Sequence, residues 1–123
     1  MKNYSRQREA IMNVLHSTDM HPTASQVYKR VRQIIPNISL GTVYRNLSAL
    51  SEAGEILTIS VGEGCDHFDG NAKPHLHLHC RNCGNIADVE FDFKSVENKI
   101  ADLSFAPETS VLVIHGVCKN CNK

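Results

Sequence analysis

The sequence predicts an α+β protein in two parts. Residues 1–54 hold three stretches whose apolar residues recur at helical spacing. After Gly54 the pattern changes to alternating strands, glycine turns and one short helix. Two Cys-x-x-Cys pairs, Cys80/Cys83 and Cys118/Cys121, stand at the two ends of the last 44 positions, where a bound metal can staple the chain. At 123 residues this is one domain or two small ones, and a lobe below about 60 residues buries too little surface to stand comfortably alone. The expected division is 1–70 and 71–123.

Ser5 is placed to cap a first helix running to about His16, with Ile11, Val14 and Leu15 as its apolar stripe. Asp19 to Pro22 breaks it. Thr23 caps a second helix with Ala24, Val27, Tyr28 and Val31 on one face. Pro36 and Asn37 turn the chain. Ser39 caps a third helix to about Ala53, which Gly54 stops. Its apolar side is expected to be Leu40, Val43, Leu47 and Leu50, with Thr42, Arg45 and Asn46 broadly opposite and Tyr44 on the flank. Glu55 to Val61 and Cys65 to Asp69 are the arms of a hairpin about Gly62-Glu63-Gly64, and Gly70 to Pro74 is a hinge.

From His75 to His79, histidine alternates with leucine. In a strand this puts His75, His77 and His79 on one face and Leu76 and Leu78 on the other. A strand from Asn85 to Phe91 follows, then a helix near Lys94 to Leu103 with Val96, Ile100 and Leu103 inward. A last strand, Ser110 to Val117, runs into Cys118 and Cys121. There are no repeats and no low-complexity segments.

Three helices and a hairpin is the order of a winged helix-turn-helix, whose third helix enters the DNA major groove. Its exposed face offers Arg45 to guanine, and Thr42 and Tyr44 to phosphates or thymine methyls. The plainer alternative is a solvated helix face in any three-helix bundle. The net charge is zero, yet residues 1–54 carry seven basic and three acidic side chains, and residues 55–123 six basic and ten acidic. A basic head on an acidic body suits an anion-binding head.

No apolar run reaches 18 residues, and the N-terminus lacks the apolar core of a signal peptide. A cytoplasmic location is the expectation. In a reducing compartment five cysteines are metal ligands before they are disulfides, and Cys65 is left over. Four thiolates in two short loops suit tetrahedral Zn(II). The 34 residues between the pairs allow a strand, a helix and a returning strand. A redox-active Cys-x-x-Cys is the competing reading. A structural zinc contributes roughly 10–16 kcal/mol to folding in zinc-finger peptides, enough to rescue so small a lobe. His75 and His77, with Asp69 upstream and Asp88 on the next strand, offer nitrogen and oxygen to a harder ion such as Fe(II) or Mn(II).

The motifs His21-Pro22-Thr23-Ala24, Thr42-Val43-Tyr44-Arg45-Asn46-Leu47 and His67-Phe68-Asp69 stand ahead of His75-x-His77-x-x-Cys80-x-x-Cys83-Gly84 and Gly116-Val117-Cys118-x-x-Cys121. Jointly, in that order and over nearly the whole chain, they resemble the ferric uptake regulator family. The resemblance implies a homodimeric, metal-dependent repressor that binds an operator in double-stranded DNA, with a winged-helix head and an α/β dimerisation body. It implies a structural Zn(II) on Cys80, Cys83, Cys118 and Cys121, and a regulatory Fe(II) or Mn(II) held between head and body.

Within the family the chain is most similar to the peroxide-sensing branch, whose regulatory ligands match His21, Asp69, His75, His77 and Asp88. Iron-sensing members often have Glu where Asp88 stands. Pro74, Leu76 and Ser110 occupy places where those members carry further ligands or their flanks, so an additional site is not expected. The resemblance implies that peroxide oxidises a ligand histidine, His21 or His75, and so releases metal and DNA. The family's additional N-terminal helix has no counterpart ahead of Ser5. Cys65 and His79 match no family role, and His16 and His115 are expected to be structural or solvated.

Iron, zinc or manganese sensing without peroxide is the alternative within the family. Outside it stand a metalloenzyme, weakened by the lack of H-E-x-x-H or H-x-E, and a zinc-stabilised interaction module without DNA. Catalytic turnover is not expected.

Overall fold

Side-chain caps start two of the three N-terminal helices. In the computed structural model, which describes residues 2–18, 21–62, 64–73, 75–108 and 110–122, the chain forms two units, Met1–Ala72 and Lys73–Lys123. Asp19, Glu63 and Pro74, part of the expected break, turn and hinge, lie outside the described residues. The first unit contains α1 (Lys2–His16), α2 (Ala24–Val31), α3 (Leu40–Glu52), β1 (Leu57–Ser60) and β2 (Asp66–Asp69).

Thr23 opens α2 with a reciprocal cap: its hydroxyl accepts from the Gln26 N–H at 3.3 Å, and its own N–H donates to Gln26 Oε1 at 2.9 Å. Ser39 opens α3 by accepting from the Thr42 N–H at 3.1 Å. Gly54, at φ 76°, ends it in the left-handed conformation that glycine adopts without a Cβ clash. The expected cap at Ser5 is wrong. The helix already begins at Lys2, because no glycine or proline between Lys2 and Ser5 stops it.

The core of this unit joins Ile11, Val14 and Leu15 of α1 to Val27 and Val31 of α2 and to Val43, Leu47 and Leu50 of α3. Ile56 and Phe68 close it from the hairpin side. Two positions on α3 differ from the expectation. Asn46 is buried, at 4% exposure, and Leu40 is exposed at 39%. From Val43 the offsets of three, four and seven residues select Asn46, Leu47 and Leu50, so Asn46 belongs to the covered stripe. Its side-chain amide donates to the Thr42 carbonyl at 2.9 Å, which satisfies the donor that burial would otherwise strand. Strands β1 and β2 pair antiparallel, with Leu57 opposite Asp69 and Ile59 opposite His67.

The second unit contains β3 (Leu76–Cys80), β4 (Ile86–Val89), α4 (Lys94–Ala101) and β5 (Leu112–Gly116). The sheet order is β4-β3-β5, with β4 antiparallel and β5 parallel to the central strand. A parallel neighbour needs a crossover, and α4 lies in it. The expected inward face of α4 is not covered. Leu103 is 78% exposed, Val96 is exposed, Ile100 is half-buried, and α4 buries no residue. The helix also ends at Ala101, so Leu103 lies in the turn beyond it. No described helix is long and apolar enough to cross a membrane.

Removing the reciprocal cap by Thr23→Ala should cost about 1 kcal/mol. Urea unfolding should show a lower midpoint with an unchanged slope.

Candidate metal centres

Strand pairing brings the two cysteine loops together. Cys80 ends β3, and its in-register partner on β5 is Gly116, two residues before Cys118. The Arg81 N–H donates to the Gly116 carbonyl at 2.9 Å, locking the strand ends side by side. Each loop then turns on its first cysteine. Gly84 donates to the Cys80 carbonyl, and Cys121 and Asn122 donate to that of Cys118. As a result the four Sγ atoms of Cys80, Cys83, Cys118 and Cys121 lie within 4.8 Å of one another.

Cys83 and Cys118 Sγ are 3.8 Å apart, far beyond the roughly 2.05 Å of a disulfide. A tetrahedron with metal–sulfur bonds of about 2.3 Å has an edge of roughly 3.8 Å, so the donor set and its spacing fit zinc. The electrostatics agree. The backbone N–H groups of Cys83 and Cys118 lower the Cys80 thiol to about 6, the latter donating to its sulfur at 3.3 Å. The Cys121 thiol is pushed up to about 12, first by its hydrogen bond with Cys118 and then by burial. One thiolate is stabilised by amides alone, and a cation is what lets its neighbours ionise beside it.

Each unit brings imidazoles and carboxylates together. In the second unit, the covered face of β3 carries the histidines and the open face carries the leucines. His77 is fully buried and Leu78 is 41% exposed. Asp88 is the in-register partner of His77 on β4. One oxygen of Asp88 lies 3.4 Å from His77 Nε2 and 3.0 Å from His75 Nε2. His75 Nδ1 donates to the Lys73 carbonyl at 2.7 Å, which directs Nε2 to the carboxylate side.

In the first unit, His21 and Asp69 are both buried, with His21 Nε2 3.3 Å from an Asp69 oxygen. The other oxygen of Asp69 accepts from the Asn71 N–H at 2.9 Å. Beyond it, Gly70 runs close to the end of α1, where its carbonyl lies 3.3 Å from His16 Nε2. A Cβ on Gly70 would meet the exposed His16 ring at 2.7 Å, so a larger residue there would have to displace that ring. These nitrogen–oxygen separations are those of two neighbouring ligands at about 2.0–2.2 Å from one divalent ion, and the donor types suit iron or manganese.

On α3, Tyr44 and Arg45 are exposed and Thr42 is half-buried. The Arg45 guanidinium donates to Thr42 Oγ1 at 3.0 Å, and that hydroxyl also meets Ser39 Oγ at 2.9 Å. Thr42 is therefore tied into the helix cap as well as facing outward.

Histidines outside these sets also have defined partners. His79 Nδ1 lies 3.0 Å from His115 Nδ1, the rings edge to face across β3 and β5. His67 Nδ1 lies 2.7 Å from the His21 carbonyl oxygen. Neither contact has a local spacing signal, because each joins residues that only the folded strands bring together.

The ferric uptake regulator family model matches residues 2–115. The chain belongs to the ferric uptake regulator family. It is a metal-responsive regulator of that family. It is 32% identical over 121 residues to the peroxide-responsive repressor PerR of Staphylococcus epidermidis, covering 95% of this chain and 79% of the relative. The Campylobacter jejuni peroxide stress regulator superposes with a TM-score of 0.81 at 27% identity, over 97% of this chain and 91% of that one. The Helicobacter pylori ferric uptake regulator, a structure with three functional metal-binding sites, gives 0.77 at 25% identity, over 96% and 81%.

Cys118→Ser should lower bound zinc and destabilise the second unit. Metal analysis of the purified variant, alongside its thermal unfolding, checks this. A variant that kept its full zinc content would contradict the four-thiolate assignment.

Proposed function

We propose that this protein is a peroxide-sensing, metal-dependent transcriptional repressor that acts as a cytoplasmic homodimer on an operator in double-stranded DNA. The observation that carries the reading is Asp88, one oxygen of which lies within 3.4 Å of both His75 and His77, at the place where iron-sensing members often have glutamate. The similarity to peroxide-responsive relatives over 95% of the chain supports it.

In this reading the first unit is a winged-helix head, with α3 as the groove-reading helix and Arg45, Tyr44 and Thr42 as its DNA contacts. The second unit is a dimerisation body. Its open apolar residues, Leu78, Val89, Val96 and Ile114 among them, are what a second copy would cover. Cys80, Cys83, Cys118 and Cys121 hold a structural Zn(II).

The regulatory ion is shared. His21 and Asp69 of the head, and His75, His77 and Asp88 of the body, are its five ligands. Two of the donors belong to the first unit and three to the second, so binding by all five couples the units and selects one orientation of the head. A ligand that contacts two states differently is what a switch requires. Fe(II) held by these residues would supply peroxide reduction, and His21 and His75 are the ligand imidazoles that would take up the oxygen. Overall one imidazole and one hydrogen peroxide become 2-oxo-histidine and water. The oxidised ring binds metal poorly, so the head loses its tether. The protein turns over no substrate.

Operator binding should require Fe(II) or Mn(II), and low peroxide should abolish it only in the Fe(II) form. Mass spectrometry should then show one added oxygen on a peptide containing His21 or His75. Oxygen found only on cysteines, with zinc loss, would place the switch at the thiolates instead. Asp88→Glu should retain metal-dependent DNA binding and blunt the response to peroxide, since one extra methylene changes how the carboxylate approaches the ion.

Arg45→Ala should weaken operator binding by about 1–3 kcal/mol if Arg45 makes a bidentate base contact. Tyr44→Ala should weaken it as well. Wild-type affinity in both variants would show that α3 does not read the operator.

A further inference from the structure

His21 has a φ of 54°, in the left-handed region that residues with a Cβ rarely adopt. Such a conformation persists only when surrounding contacts hold it. Strand β2 supplies two. The Phe68 N–H donates to the Pro22 carbonyl at 2.9 Å, the bond that sets Thr23 in an antiparallel bridge with His67. The His67 ring meets the His21 carbonyl at 2.7 Å.

Only the last of these comes from a side chain. A carbonyl can only accept, so Nδ1 of His67 carries the proton. His67 stands two residues before Asp69 on β2, so the two side chains share a face of the strand. One strand face thus holds His21 twice, by its backbone through His67 and by its ring through Asp69 at 3.3 Å.

We propose that His67 is a positioning residue for the regulatory metal. It donates to the His21 carbonyl, pins the left-handed backbone there, and so aims His21 Nε2 at the ion beside Asp69. It does not touch the ion. This rests on reading His21 and Asp69 as ligands. A merely structural His67 would stiffen the junction of β2 and α2, and its loss would lower stability without changing the metal affinity of the folded protein. Groups that orient a metal ligand behave otherwise, and their loss weakens binding by about 10–100-fold.

The test is titration of the zinc-loaded full chain with Mn(II), followed by electron paramagnetic resonance. The variants are His67→Ala, His67→Asn, His67→Gln and His21→Ala. Asparagine places an N–H the same number of bonds from Cβ as Nδ1 does, and glutamine places it one bond further. His67→Ala should bind Mn(II) about 10–100-fold more weakly, His67→Asn should recover most of that loss, and His67→Gln should not. His21→Ala should lose the site altogether. Wild-type affinity in His67→Ala, with binding lost in His21→Ala, would overturn the positioning role alone. Wild-type affinity in His21→Ala would overturn the ligand reading beneath it. If His67→Ala fails to fold, asparagine and glutamine carry the comparison, and equal affinity in those two refutes the proposal.

Discussion

Strand β3 turns its imidazoles to the covered side and its leucines to the open one, and the second unit is built to satisfy that inversion. Each buried ring needs a polar partner, because an unpaired one loses its hydration without return. The partners come from every direction: the Lys73 carbonyl and Asp88 for His75, Asp88 for His77, and His115 for His79. Cys80, at the end of the strand, is buried and accepts from the Cys118 N–H. Among the described residues of this unit, only Cys80 and Ile86 are buried hydrophobics. An aliphatic core does not hold this unit. Hydrogen bonds, strand pairing and the four-sulfur cluster do.

The first unit rests on the opposite arrangement. Its helices bury an ordinary set of Ile, Val and Leu side chains, at roughly 1.5–3 kcal/mol for each fully buried large one. That gives the head a stability of its own. Its metal-ligand candidates, His21 and Asp69, sit where the end of β2 meets the chain entering α2, a junction fixed by backbone bonds. In the proposed mechanism a self-sufficient head and a metal-dependent body are joined by an ion that takes ligands from both. Loss of one imidazole then frees the head without unfolding it.

Much of this was legible in the sequence, and the exceptions share a cause. Helical offsets and the Thr23 and Ser39 caps located α2 and α3, and alternation put His75, His77 and His79 on one face. Asn46 is expected broadly opposite the apolar side at about 100° per residue, yet its offset of three from Val43 puts it on the covered stripe. Ser5 looked like a cap because its residue type suits one, although nothing upstream stops the helix. The α4 stripe was expected to face inward, yet nothing among the described residues covers it, and a stripe does not say what covers it. His67 with His21, and His79 with His115, join positions 46 and 36 residues apart. Spacing is silent about such pairs until strand register is known.

The central claim is that two ligand sets, one in each unit, close on a single ion. The most direct measurement is Mn(II) stoichiometry and affinity for the zinc-loaded wild type, His21→Ala and His77→Ala. The account predicts one tight Mn(II) per chain in the wild type, and loss of that same site in both variants, although the substitutions lie in different units. Tight Mn(II) binding retained by either variant would show that the site does not depend on ligands from both sets, and would contradict the account.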